Sequence, residues 1–317
     1  MTGRALVFSH PRVIELVKGS FVPYAGDQWY LHRQKDADGE FFWKVAQQGH
    51  NRELDRDSTR QGLYVAAPDG ALLASDPFRP SANQFLALLQ TGLQRWAARG
   101  AVAPAGPVPG APDRHFVRTP PPGSLVLEVF TRIPDRPAPE GRRWSPNDAV
   151  ARDFAWVLPD EWRGLNPVFR QRGARQPAPR SLLLRLVRFH LLDNVRGEAP
   201  AWAPDDVRTA TLDVVVDAAP SDRLRLQGTA RLQALGRLPR GYDARLQGEV
   251  TLDRGSRTVR QFDLLAWGEA WGDGPYTRGA PPGRFPLAVA FSLRPTANGT
   301  AAPPHGSRDR DAYLHPE

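Results

Sequence analysis

The sequence predicts an α+β protein of two domains, a small α/β domain followed by an antiparallel sheet with packed helices. In residues 124–294, helical patterns come before a series of strand patterns and do not alternate with them, which is typical of an α+β domain. Residues 100–123 are rich in Pro, Gly and Ala and predict a semi-rigid linker. Residues 1–99 mix short helix and strand patterns, so we expect a separate domain there.

The first domain is predicted as helices around one hairpin. Turn residues at 36–39 interrupt the helical spacing of residues 29–48, and Ser81 is a helix cap. The predicted elements are a helix at 11–17, an extended segment from Phe21, helical turns within 29–48, strands at 62–67 and 71–74, and a helix from 82 to 98.

Three stretches of this domain together resemble the thioredoxin-like fold. They are the run from Phe8 to Pro23, the hairpin sequence from Leu63 to Gly70, and the closing amphipathic helix. In redox-active members a C-x-x-C motif precedes the first helix and a cis-proline precedes the hairpin. This chain has no cysteine, and Gln61 stands at the proline position. The resemblance implies a truncated, redox-inactive thioredoxin-like domain over residues 1–99.

The second domain is predicted to begin with a strand at 124–133 and to continue with helices. Short helices are expected at 148–156 and 160–164, and a longer one is expected after a Ser181 cap. This longer helix is apolar on almost every side, so we expect it to pack against the sheet. The whole chain is similar to uncharacterised bacterial proteins that join a thioredoxin-like domain to such a sheet, and that family implies no activity.

The strands that follow are specified by alternation of apolar and polar residues. From Tyr242 to Asp253 the alternation continues for twelve residues, and 223–234 shows the same period. Both segments contain Arg-Leu-Gln-Gly, which we interpret as the mark of paired neighbours, since nothing else recurs at that spacing. Further strands are predicted at 211–216, 258–267 and 287–293, with a hairpin turn at 253–257, and residues 295–317 are predicted to be disordered.

Composition excludes several classes of function. The chain has no cysteine, so it forms no disulfide, thiolate metal site or cysteine nucleophile. Its net charge of +8 comes from arginines that are spread along the chain and interleaved with acidic residues, which argues against a nucleic-acid partner. No apolar run approaches the roughly 20 residues of a membrane span. As written, the start lacks a signal-peptide pattern and predicts a cytoplasmic protein, whereas an upstream start could bring an export signal.

The stretch around residues 268–283 is the most unusual of the chain. Its glycines would let backbone amides approach a ligand closely, so the stretch could form a pocket for a small anionic or sugar-like ligand. Gly-Asp-Gly-Pro equally makes turns, and tryptophans at sheet ends often cover a core, so we favour the structural interpretation. The candidate ligand-binding residues are Trp267, Glu269, Trp271, Asp273, Tyr276, Arg278 and Arg284.

A second candidate is the pair His190 and Asp193, three residues apart at a helix end. That spacing puts both side chains on one face and allows an acid–base or metal pair. A carboxylate at a helix C-terminus is unfavourable, so we expect Asp193 to pair with Arg196 or Arg208 and His190 to be a core residue. The seven histidines show no zinc-type spacing and there is no G-x-S-x-G motif, so no metal, cofactor or catalytic residue is predicted.

These features favour a non-catalytic binding or scaffold protein whose partner is a protein or a small anionic ligand. Two alternatives stay open. The chain could be part of a thiol–disulfide redox enzyme whose cysteine motif lies upstream of Met1. It could also be a carrier that holds a small ligand in the curve of the sheet.

Overall fold

The computed structural model describes residues 7–50, 52–53, 58–77, 81–100, 113, 116–134, 150–166, 171–217, 222–253, 255–294 and 303–317. The chain divides into two compact units, Met1–Val117 and Arg118–Glu317. This boundary falls within the predicted linker 100–123, most of which lies outside the described residues.

The first unit consists of helices around one hairpin. Its elements are α1 Pro11–Ser20, α2 Gln28–Leu31, α3 Ala37–Ala46, β1 Leu63–Ala66, β2 Leu72–Asp76 and α4 Ala82–Arg99. The predicted break is confirmed, because the Asp36 carboxylate accepts from the amide of Gly39 and caps α3. Ser81 and Gln84 form a capping box that starts α4. The extended segment after α1 joins neither strand of the hairpin and leaves Val22 96% exposed.

The second unit is built on one antiparallel sheet of eight strands, in the order β4-β3-β10-β9-β8-β7-β6-β5. The shared tetrapeptides lie on neighbouring strands as predicted, with Gln227 directly opposite Gln247. The strands are β3 Leu125–Arg132, β4 Val150–Val157, β5 Arg175–Pro177, β6 Val207–Val216, β7 Arg223–Ala234, β8 Arg240–Leu252, β9 Val259–Gly272 and β10 Arg284–Leu293.

Helices cover one face of this sheet. They are α5 Pro159–Gly164, α6 Arg180–Phe189 and α7 Arg310–Leu314, with 3₁₀ turns at Pro204–Asp206 and His305–Arg308. Leu182, Leu186 and Val187 of α6 belong to one core with the inward side chains of the strands, as its almost wholly apolar sequence predicts. Pro179, rather than Ser181, immediately precedes this helix. None of the described helices is long and apolar enough to cross a bilayer.

Two segments of this unit differ in kind from their predicted structure. The described part of the segment predicted as a helix at 148–156 belongs to the edge strand β4, because Ala151, Ala155 and Val157 point into the core on one face of the strand while it pairs with β3. Residues 148–149 lie outside the described residues. The tail predicted to be disordered contains the 3₁₀ turn and α7 in its described part, residues 303–317. Tyr313 is fully buried there, which the polar composition of the tail did not indicate.

Candidate functional site

Most of the predicted ligand-binding cluster lies on strands rather than in a loop. β9 continues to Gly272, five residues beyond the predicted end, because its pairing with β8 and β10 continues to that point. Trp267, Glu269 and Trp271 are therefore strand residues, and Arg284 begins β10. Only Asp273, Tyr276 and Arg278 remain in the connecting turn.

Trp271 and Arg284 form a compact stack at one end of the sheet. The Arg284 guanidinium lies 4.0 Å from the centre of the Trp271 ring. A side chain at Gly241 would place its Cβ 1.9 Å from Trp271, so only glycine allows the ring to lie on the neighbouring strand. Arg284 also contacts Asp243 at 2.9 Å and Glu269 at 3.7 Å. The charge of Arg284 is thus already balanced by protein carboxylates.

Asp273 is held in a second structural network. The Arg196 side chain is 4% exposed, forms ion pairs with Asp193 and with Asp273, and donates to the carbonyls of Gly272 and Thr277. The predicted pairing of Asp193 with Arg196 is confirmed. Hydrogen bonding to the amide of Ala280, with further help from Arg196, lowers the pKa of Asp273. The network fixes the turn after β9.

The structure brings part of the cluster together. Trp271, Asp273 and Arg284 line an open cleft of about 490 Å³ with Gln233, and Glu269 joins them through Arg284. Trp267, Tyr276 and Arg278 do not line this cleft, and Tyr276 is 76% exposed. Because Asp273 and Arg284 already have charged partners, these contacts support the structural interpretation of the cluster.

His190 and Asp193 do not form a pair. His190 is fully buried, and its Nε2 lies 2.8 Å from the Tyr313 hydroxyl, while its Nδ1 faces Asp153 at 3.4 Å. The Tyr313 hydroxyl accepts from the amide of Trp156. Its hydrogen bond with His190 runs in either direction, according to which imidazole nitrogen carries the proton. Burial raises the pKa of Tyr313, which keeps the hydroxyl protonated. Asp153 was not predicted as a site residue because its strand was expected to be a helix.

This Asp–His–Tyr chain resembles an acid–base relay only in its order of groups. Tyr313 and His190 are both fully buried, so neither reaches a substrate in this structure. Among the residues that the structure describes, no group of three or more histidine, aspartate or glutamate side chains could hold a metal ion.

The sheet face opposite α6 carries an apolar strip that the sequence analysis did not single out. Trp267 lies between Arg245 on β8 and Ala288 on β10, and Arg132 on β3 lies next in the same row, opposite Val150 on β4. The next row runs from Gln247 through Leu265 and Ala290 to Phe130. We call these two rows the Trp267 surface: Arg245, Trp267, Ala288, Arg132, Gln247, Leu265, Ala290 and Phe130.

The shape of the Trp267 surface follows from side-chain size. Ala288 and Ala290 form a low floor on β10, with Trp267 and Leu265 on one side and Phe130 and Arg132 on the other. Strands are about 4.8 Å apart, so the two walls are separated by roughly 10 Å. The surface is therefore a shallow groove along β10. Leu265 is 43% exposed and Trp267 is 48% exposed.

The charges of the Trp267 surface differ from those of the Trp271 cleft. Arg245 and Arg132 are exposed, and neither forms an ion pair with another described residue. Arg152, beside them, lies over the Phe130 ring at 5.3 Å and pairs with Glu128 at 2.8 Å. Within the described part of the chain, two arginines without an ion-pair partner thus occupy the row that contains Trp267. One feature of the sequence could have indicated this surface. All four residues from Leu264 to Trp267 are apolar, so apolar side chains project from both faces of β9.

Comparison of the chain with protein-family models, with curated proteins and with solved structures finds no match.

Proposed function

We propose that the chain is a non-catalytic binding protein and that the Trp267 surface binds another protein. The observation that carries this proposal is the exposure of Trp267 and Leu265 side by side on the face of the sheet. Exposed apolar patches with polar rims mark interaction sites, and Trp and Arg dominate the binding energy of protein interfaces. A shallow groove suits a protein partner better than a small molecule, which needs a concave site.

The protection of both sheet edges supports binding through the face. The edge strand β5 has three residues and ends at Pro177, which cannot donate a ladder hydrogen bond. The other edge, β4, is covered at Trp156 by Tyr313. These features limit strand addition at the described edges, although β5 pairs only with residues 213–215 of β6, whereas the groove along β10 is open.

The charges of the groove indicate the chemistry of the partner. Arg245 and Arg132 stand three strands apart, which corresponds to about 14 Å. A partner that places an apolar side chain against Trp267 and carboxylates at this spacing would neutralise both arginines. We therefore propose a partner with an acidic rim around an apolar anchor.

The first unit would act as a redox-inactive thioredoxin-like module in this protein. Its support is the antiparallel hairpin of β1 and β2 followed by the closing helix α4, whereas the extended segment after α1 joins neither strand. Cysteine is absent from the chain, so thiol chemistry by these residues is excluded.

The test compares the full-length chain with Trp267→Ala, Arg245→Glu and Tyr276→Ala. Tyr276 is an exposed aromatic residue outside the Trp267 surface and serves as the matched control. Each protein is immobilised and incubated with an extract of cells that express it, and the retained proteins are quantified by mass spectrometry. The retained candidate is then purified, and its affinity for all four proteins is measured by calorimetry.

We expect a protein that wild type and Tyr276→Ala retain equally, and whose affinity falls at least about tenfold with Trp267→Ala or Arg245→Glu. Thermal denaturation should show all four proteins equally stable within about 0.5 kcal/mol, because the substituted side chains are exposed. If the two surface variants retain the same proteins in the same amounts as wild type, the Trp267 surface is not the binding site.

A further inference from the structure

The described C-terminal segment, residues 303–317, is docked on the second unit as a separate piece. We call it the arm. It follows β10 after residues 295–302 and adds no strand to the sheet. Its centre is Tyr313, whose ring packs edge-on against Trp156 at 5.8 Å, Phe189 at 5.1 Å and His190 at 5.7 Å. The arm is therefore held by one buried aromatic side chain in a slot formed by β4 and α6.

The slot also binds the main chain of the arm. Arg185 of α6 is fully buried, and its Nε and Nη2 donate to the carbonyls of Tyr313 and Leu314, each at 2.8 Å. Arg188 donates to the carbonyl of Glu317 at 3.1 Å. Glu161 of α5 pairs with Arg185 and holds its guanidinium in place. These donors recognise the end of a short helix whichever chain supplies it.

Polar contacts at the start of the arm complete the attachment. The amide of His305 donates to Asp153 at 2.9 Å, and Glu198 contacts both His305 and Arg308. All the groups that receive the arm in these contacts come from residues 153–198, on β4, α5, α6 and the loop after α6. The slot is thus complete without the arm.

An empty slot would be costly. Arg185 would lose two carbonyl acceptors, and the amide of Trp156 on the edge strand would lose the Tyr313 hydroxyl. The aromatic wall around Tyr313 would also become exposed to water. Burying this wall and restoring the hydrogen bonds of Arg185 are both favourable, so the slot favours any segment with the same groups. We infer that the slot is a peptide-binding site that the arm of a second copy of the chain can fill.

The second copy is the fitting occupant because its arm offers the same tyrosine and carbonyls in the same order. Exchange of identical segments between copies keeps every contact and changes only the connection. Because the chain's own arm is covalently tethered to the slot, it competes with the arm of a second copy at an effective concentration on the order of 1 mM. Exchange therefore becomes visible when this connection is cut or when the folded state is transiently loosened.

The experiment uses the full-length chain with a protease recognition sequence in place of residues 297–301. After cleavage, a fluorescent peptide with the sequence of residues 303–317 is added and its anisotropy is followed. We expect the peptide to bind and the same peptide with Tyr313→Ala to bind at least about 100-fold more weakly. The uncut chain should bind the wild-type peptide more weakly than the cut chain does, because its own arm competes.

Two results would overturn the inference: a cut chain that keeps its thermal transition and binds no peptide, or equal binding of the two peptides. A second measurement covers a cut chain that unfolds. One copy of the chain carries His305→Cys and the other carries Glu198→Cys. Since the chain has no cysteine of its own, these are the only two thiols in the mixture. After joint incubation in mild denaturant and oxidation, we expect a disulfide-linked dimer above the level given by Tyr276→Cys with Glu198→Cys. A dimer no more abundant than in that control would contradict arm exchange.

Discussion

Arg185→Met should strongly destabilise the second unit. The substitution removes the ion pair with Glu161 and both donors to the carbonyls of the arm. Glu161 is 3% exposed, so its carboxylate is left buried without a counter-charge. Removing one partner of a buried ion pair costs about 3–5 kcal/mol. Since domains are stable by about 5–15 kcal/mol, the variant should be only marginally stable.

The magnitude can be apportioned with a second variant. Glu161 also accepts from the amide of Leu158 at 2.8 Å, and glutamine in this position can still accept that hydrogen bond. The double variant Arg185→Met with Glu161→Gln removes the unpaired charge and should regain about 1–3 kcal/mol relative to Arg185→Met. The part not regained then belongs to the contacts with the arm and to packing.

The assay is urea denaturation followed by tryptophan fluorescence, with thermal denaturation beside it. A loss of 3–5 kcal/mol in a unit of this size lowers Tm by about 6–20 °C. If Arg185→Met costs less than about 1 kcal/mol, Arg185 does not hold α5, α6 and the arm together. If the double variant is no more stable than Arg185→Met, the buried charge of Glu161 is not the cause.

Three further predictions concern single sites. Hydrogen bonding to His305, followed by the charge of Arg308, lowers the pKa of Glu198 to about 2. The ionised Glu198 therefore stabilises the docked arm above pH 4.5, and this stabilisation is lost as the pH falls towards 2. Glu198→Gln should flatten this pH dependence when the docking of a labelled arm is followed by fluorescence anisotropy. Gly241→Ala should cost about 1–3 kcal/mol in thermal denaturation, because its Cβ would meet the Trp271 ring, whereas Gly236→Ala, with open space around it, should be nearly neutral; equal costs would contradict the position of Trp271. Asp193→Asn should lower the free energy of unfolding by about 1–3 kcal/mol, because the side chain of Arg196 is buried and loses a charged partner. The control Asp160→Asn replaces a fully exposed carboxylate and should change stability little, so equal effects of the two variants would show that Asp193 does not stabilise Arg196.

The sequence predicted the elements whose pattern is local. Strands β7 and β8 alternate strictly, so their pairing and faces could be derived, and the Ser81 cap gave the start of α4. The helix predicted at 148–156 failed because nine residues with apolar side chains at mixed spacings fit either period, and pairing with β3 decides between them. The local pattern also predicted too early an end for β9, because pairing with β8 and β10 holds the last residues of this strand.

The candidate sites show why function was harder to predict than fold. Asp193 and Arg196 are close in sequence, so their pair could be expected, whereas His190 meets Asp153 and Tyr313 from distant parts of the chain. The row from Arg245 to Arg132 joins four strands, and only the register of the sheet brings its residues together. Spacing along the chain contains no information about such a row until the strand order is known.

The use of arginine in the second unit explains why a basic chain need not bind nucleic acid. The side chains of Arg185, Arg188, Arg196 and Arg240 are all buried, and each donates to at least one backbone carbonyl. Arginine suits this role because it has several donors in a fixed plane and keeps its charge when desolvated, and even the buried Arg240 has its pKa lowered only to about 10. Part of the positive charge is therefore structural. Charge that is free to select a partner lies on the sheet face, at Arg245 and Arg132 beside Trp267, and salt should weaken binding there but leave the buried contacts largely unchanged.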